Sequence, residues 1–418
     1  MNESLIRWRP RSDDRRRYAV EARLALARQA VAEYPRAAAP LYTLALDLLR
    51  LEQQQEAIRL LERALDLAAP TAAQHAAYAR ALVAVGRAAE ALAALGAHGH
   101  TVSTSPALLV ARGAALLEMG RTGEALADFL AALAIDSRNM DAAHGAGWAL
   151  TRLEAWERLI AFHDDQARSG AVTIPTVLAK LAGLVGLGRL AEAADLVDAA
   201  SLVSIREIDP PMPYTSIAAF NADLQSDIER AGKVRLSRGA RLRLTGGVQV
   251  EDLHVGSSPA MAALFDSLEA AVGEYISSRS GHAARLVRQL APAAASLECW
   301  ALILERGDAQ DEHVHAYSSV AGVYYVAAPQ AVLGGDNERG CLIIPSGFPT
   351  PSAVAPAALR IKPLPGRLVL FPGHMPHRTA PTDCDGRRIS IAFDVVPASD
   401  AVDRAGASGR GADTGSVA

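Results

Sequence analysis

The sequence predicts a multidomain α plus β chain: an N-terminal array of helical repeats, then a β-sandwich or barrel with flanking helices. Three observations predict it. Small residues recur at a fixed interval through the first half of the chain, and the Pro-rich stretch IDPPMPY at 208–214 ends that pattern. From about 297 to 397, β-branched and aromatic runs alternate with Gly, Pro and Asp clusters. The 418 residues leave room for two or three domains at roughly 150 residues each.

Residues 1–37 form a helical extension, charged at first with Arg15, Arg16 and Arg17 in a row. That run reads as a solvated helix start rather than a nucleic-acid arm. Between 38 and 200 the sequence repeats. Small residues at Ala45, Ala57 and Ala64 return as Ala79 and Ala91, then as Gly113, Ala125 and Ala132 with Phe129 between. The steps from Ala57 to Ala91 and from Ala91 to Ala125 are equal, and Gly86, Gly120 and Gly188 fall where a turn between paired helices belongs. This pattern, with a period of about 34 residues, resembles the tetratricopeptide repeat. In such a repeat small residues let helices cross closely, and stacking buries faces that one repeat cannot bury alone. Residues 140–173 and 174–200 read as degenerate members.

Residues 201–214 are expected to be a linker, 215–397 a second domain and 398–418 a disordered, Gly-rich tail. The second domain opens with helical patterns (SIAAFNADLQSDIERAG, PAMAALFDSLEAAVGEYISSR) and continues into ECWALILER, SVAGVYYVAAP, GCLIIPSG, GRLVLFPG and RRISIAFDVV, which read as strands. Trp300 is expected in the core. Gly322, Gly340 and Gly366 are expected at strand edges or turns, and Asp336, Glu338 and Arg339 in a solvated loop.

Composition narrows the function classes. Basic residues number 42 and acidic residues 46, a net charge of −4, without the basic excess of a nucleic-acid binder. Half the residues are hydrophobic, which excludes a largely disordered chain. Three cysteines (Cys299, Cys341, Cys384) are too few and too scattered for a disulfide framework. The start lacks the apolar core of a signal peptide and no stretch reads as a membrane span, so the cytoplasm is the expected address.

Chemistry concentrates in the strand region. His313 and His315 are two apart, so an extended backbone would aim both imidazoles at one face as a two-ligand pair for a divalent metal. His377 follows on a distant strand-like segment, just after GRLVLFPGHMP, and Arg388 and Ser390 come after it in RRISIAF. A guanidinium beside a hydroxyl suits a carboxylate. HVHAYSSVAGVYYVAAP, GRLVLFPGHMPHRTAP and RRISIAFDVVP resemble the 2-oxoglutarate/Fe(II)-dependent oxygenase family, which often follows tetratricopeptide repeats on one chain.

The resemblance implies a double-stranded β-helix (jelly roll) over about 215–397, holding Fe(II) and 2-oxoglutarate. It implies iron on His313, His315 and His377, and the far carboxylate of 2-oxoglutarate on Arg388 with help from Ser390. Of Tyr324 and Tyr325, one is expected in the core. The other, taken as Tyr325, would face the pocket and bond the same carboxylate.

One departure stands out. The wider superfamily uses two His and a carboxylate, yet His315 occupies the carboxylate position. Asp311, or His374, is the alternative ligand, and zinc would also accept three His. The implied reaction uses dioxygen, releases succinate and carbon dioxide, and hydroxylates a substrate. A peptide or protein held on the concave face of the repeats is the leading substrate class. The alternatives are a small-molecule oxygenase, a three-His dioxygenase working without 2-oxoglutarate, and a repeat scaffold whose β domain has lost catalysis.

Overall fold

The computed structural model describes residues 6–8, 20–51, 53–67, 71–96, 99–231, 246–253, 258–334, 337–345 and 358–397. The arginines at 15–17, Asp336 and the tail at 398–418 lie outside these residues. Contacts divide the chain into a helical unit within 21–187 and a β-rich unit within 188–398, which also takes up residues 6–8.

In the helical unit, Val20–Glu33 is followed by helix pairs whose first members are Ala38–Arg50, Ala72–Ala84, Pro106–Glu118 and Met140–Arg152. Their starts are evenly spaced at about 34 residues, the length of a tetratricopeptide repeat. Their partners are Gln54–Leu67, Ala88–Gly96, Thr122–Ile135 and Trp156–Arg168, and Ile174–Gly186 closes the array. This is a tetratricopeptide-type solenoid. Starts are fixed locally: Thr71 and Gln74 form a reciprocal capping box, and the Asn139 side chain accepts from the Ala142 N–H.

The small residues have a steric cause. A Cβ on Gly113 would meet the Phe129 ring at 2.8 Å, and one on Gly145 would meet the same ring at 2.5 Å. Phe129 therefore fills the gap between two successive first helices, and only glycine permits the approach on both sides.

Just past the first helices Ala72–Ala84 and Pro106–Glu118, the turn residue is in the left-handed region: Gly86 at φ 80° and Gly120 at φ 75°. At the next step of the repeat Glu154 takes that conformation, at φ 52°. A side chain there costs about 1 kcal/mol, partly offset by the greater freedom of glycine in the unfolded chain. Glu154→Gly is thus expected to stabilise the helical unit by about 0.5 kcal/mol, read as a slightly raised thermal midpoint.

The last expected repeat, 174–200, splits. Ile174–Gly186 stays with the repeats, while Leu190–Leu196 and Ala199–Leu202 belong to the β-rich unit. Their free carbonyls are taken up there. Leu196 O accepts from His374 Nε2 at 2.8 Å, and Leu202 O from the Tyr275 hydroxyl at 2.6 Å.

The strands are β1 (Arg7–Trp8), β2 (Ser204–Glu207), β3 (Val248–Leu253), β4 (Ala294–Leu304), β5 (Gln310–His313), β6 (Val320–Ala327), β7 (Leu342–Pro345), β8 (Ala358–Ile361), β9 (Arg367–Phe371), β10 (His377–Thr379) and β11 (Arg388–Pro397). One sheet runs β1-β4-β11-β6-β9-β2, with β3 also on the outer edge of β4, and the other runs β5-β10-β7-β8. Both line one cavity, the jelly-roll arrangement.

Two strands correct the sequence reading. β2 lies inside the expected linker 201–214, because SIRE pairs antiparallel with β9 before the prolines stop it. β1 lies inside the expected helical extension and pairs parallel with Ala294 and Ala295. Gly322 is also no edge or turn residue. It sits within β6, where a Cβ would lie 2.3 Å from the Phe393 ring.

Ile217–Arg230 and Pro259–Ser278 flank the sheets. Phe220, Leu224 and Ile228 are buried. Asn221 donates to Val326 O at 2.9 Å and accepts from the Tyr324 hydroxyl at 2.6 Å, fixing its helix to β6. Among the described residues no helix is long and apolar enough to cross a membrane.

Candidate metal centre

β5 and β10 run antiparallel with His313 directly opposite His377, which closes the long gap between them in sequence. Their ring centroids are 4.3 Å apart. His315 arrives differently from the expectation of a shared strand face. β5 ends at His313, and His315 sits in the following turn, its N–H donating to Gly373 O at 2.7 Å and its carbonyl accepting from Ser318 N–H at 3.1 Å. The outcome is nonetheless convergent. Among the described residues, His313, His315 and His377 form a group of potential ligands whose donor atoms all lie within 4.8 Å of one another.

The hydrogen bonds decide the tautomers. His313 Nδ1 donates to Asp311 O at 2.8 Å and His377 Nδ1 to Met375 O at 3.0 Å. A carbonyl can only accept, so each Nδ1 carries the proton and each Nε2 presents a lone pair. His315 Nε2 lies 3.2 Å from His377 Nε2. Lone pairs that close repel unless a cation or proton lies between them, which suits a divalent metal. Burial, with His313 and His315 adding to it, holds His377 well below the ordinary imidazole pKa of 6.5, so the ring stays neutral, the form that can bind a metal.

The other candidates are elsewhere. Asp311 is exposed, and its part is to accept from His313 through its backbone carbonyl. His374 is fully buried and turned to Leu196 O.

Arg388, Ser390 and Ala392 alternate along β11 onto the cavity wall. Arg388 is 2% exposed. Its Nε donates to Gly340 O at 2.9 Å and its Nη1 to Ser390 Oγ at 3.1 Å, and among the described residues no carboxylate pairs with it. Burial pulls its pKa down from the usual guanidinium range. Its guanidinium carbon lies 5.0 Å from the centre of the Tyr325 ring. Among the described residues the buried Tyr325 hydroxyl has no well-aligned hydrogen-bond partner, with the Arg388 guanidinium its polar neighbour, and burial raises its pKa. A buried, unpaired cation beside an orphan hydroxyl fits a ligand carboxylate.

Two residues escaped the sequence reading. Trp300, expected in the core, lines the cavity instead and stacks on His315 with centroids 6.0 Å apart and planes 19° apart. Asp394 has no motif of its own in the sequence, yet its Oδ1 lies 2.7 Å from His315 Nδ1. The two-residue period of β11, running 388, 390, 392, 394, was the available signal.

The His315 turn depends on the absence of a side chain at 373. A Cβ there would lie 2.1 Å from Ser318 O and 2.5 Å from His315 O. Gly373→Ala is expected to push this turn away from β10 and weaken metal binding by about tenfold or more, the cost of misplacing a ligand. An anaerobic Fe(II) titration checks it.

Residues 298–394 match the family model described as "Putative 2OG-Fe(II) oxygenase". No curated protein matches the chain. Similar solved structures include a prolyl-4-hydroxylase from Pseudomonas putida, with 17% identity, 49% of this chain and 99% of that chain covered, and a TM-score of 0.33. A Trichoplax adhaerens prolyl hydroxylase in complex with a hypoxia inducible factor peptide fragment gives 16%, 50%, 91% and 0.32. PilW, a type IV pilus biogenesis factor, gives 17%, 42%, 82% and 0.38.

Proposed function

We propose, from the premise that residues 298–394 form a 2-oxoglutarate/Fe(II) oxygenase domain, that this chain hydroxylates a peptide or protein recruited by its tetratricopeptide-type repeats. The observation that carries the oxidative part is the pairing of three converging imidazoles with a buried guanidinium that, among the described residues, has no carboxylate partner. The peptide part is supported by the helical array on the same chain, because stacked repeats offer extended surfaces for chain-like ligands.

His313, His315 and His377 would hold the iron. Arg388 would anchor the far carboxylate of 2-oxoglutarate, Ser390 would orient the guanidinium, and the Tyr325 hydroxyl would donate a further hydrogen bond. When bound there, iron and 2-oxoglutarate would supply the oxidising power for a hydroxylation in which dioxygen gives one oxygen atom to a substrate C–H bond and the other to succinate, with loss of carbon dioxide. Leu302, Val323 and Leu342 line the cavity with apolar surface that excludes water.

The test is 2-oxoglutarate turnover by the Fe(II)-loaded full chain against a library of peptides. Some peptides should stimulate succinate release and gain the mass of one oxygen atom. Turnover that no peptide stimulates, but that a small molecule from an extract does, would sink the peptide assignment.

A further inference from the structure

A metal held by three neutral imidazoles keeps its full charge, with no anionic protein ligand to offset it. The geometry points to Asp394 as the residue that supplies the missing negative charge, acting through His315 rather than on the metal. The inference rests on the metal-centre reading above.

Asp394 shares the inward face of β11 with Arg388, Ser390 and Ala392, two residues per step. Its Oδ1 is 2.7 Å from His315 Nδ1, with the two side chains 19% and 13% exposed. The contact is at ion-pair distance without the alignment of a hydrogen bond, and among the described residues Oδ1 has no hydrogen-bond partner of its own. A buried carboxylate oxygen in that state is stabilised only by positive charge or a donor beside it, and the imidazole is what lies beside it. Across the ring, His315 Nε2 faces His377 Nε2 at 3.2 Å. The imidazole thus lies between a carboxylate and the point where the other lone pairs meet.

By its charge, a carboxylate 2.7 Å from the outer nitrogen of a histidine favours the tautomer protonated there and leaves the inner nitrogen its lone pair for a metal. Trp300, stacked nearly parallel on the ring, restrains its plane. Asp394 is therefore a positioning residue, and it brings one negative charge to the site. The carboxylate that the wider superfamily places on the metal is here moved one shell outward.

The experiment uses the full chain with Asp394→Asn and Asp394→Ala. It combines anaerobic Fe(II) titrations with the Fe(III)/Fe(II) midpoint potential, and a thermal melt reports folding. Asn keeps the shape and an acceptor oxygen but not the charge. It should weaken Fe(II) binding about tenfold and raise the midpoint potential, and Ala should weaken binding about a hundredfold. Wild-type-like affinity and potential in Asp394→Asn would overturn the charge role, whatever Ala does. Should Asp394→Ala fail to fold, the two readouts on the Asn variant decide. A wild type that binds no Fe(II) removes the metal centre itself, a failure separate from that of Asp394.

Discussion

His377→Ala is expected to weaken Fe(II) binding by about two orders of magnitude or more while the helical signal of the repeats persists. His377 sits on β10 opposite His313 and within 3.2 Å of His315 through its Nε2, so its removal takes away the ligand that the other two share. Zinc bound to four protein ligands gains roughly 10–16 kcal/mol, about 3 kcal/mol for each, so losing one ligand should weaken binding about a hundredfold or more. Calorimetric titration under nitrogen reads this directly, and wild-type iron affinity in the variant would refute the ligand set. The same residue sets an acid limit. Its folded pKa lies well below 6.5, so as the pH falls below that value the unfolded chain takes up a proton that the buried ring resists. Apo-protein stability should therefore fall with pH in that range, and less so in the variant.

Arg388→Met should separate cofactor binding from folding. Among the described residues the buried guanidinium meets a carbonyl and a hydroxyl but no carboxylate, so its charge is uncompensated there in the apo protein. An apolar side chain of similar length should leave the apo thermal midpoint equal or higher. The affinity for 2-oxoglutarate should meanwhile drop by about 1.5–3 kcal/mol, the scale of a charge-assisted hydrogen bond. The visible charge-transfer band formed when 2-oxoglutarate joins the Fe(II) protein anaerobically is the readout. Fe(II) binding should be unchanged, and undiminished 2-oxoglutarate binding would remove Arg388 from the site.

Local rules made part of this architecture legible. The repeat spacing is visible because every crossing of stacked helices imposes the same small-residue demand, seen at Gly113 and Gly145 around Phe129. The histidines and Arg388 are visible because the resemblance supplies their order along the chain. What stayed hidden depends on pairing between distant segments. His315 belongs to a turn pinned by Gly373, so it meets His313 and His377 through a contact between distant segments and not through a shared strand face. Asp394 acquires its role only when the end of β11 meets that turn. Trp300 looks like core filling until the register shows its face towards the cavity. β1 is two residues long, too short to announce itself, and β2 is masked by the prolines behind it.

The position of β1 has a consequence for how the molecule is made. Arg7 pairs with Ala294, and the repeats lie between the two in sequence. Along the chain, the whole helical unit is an insertion between the first two strands of the β-rich unit. At synthesis rates of about 5–20 residues per second, β1 waits roughly 15–60 s on the ribosome for its partner strand, while each helix pair can close on its neighbour as it emerges. The repeats can thus be complete before the sheet begins. A fragment cut to begin after them would start life with the Ala294 edge of β4 unpaired, a ready surface for association with another chain.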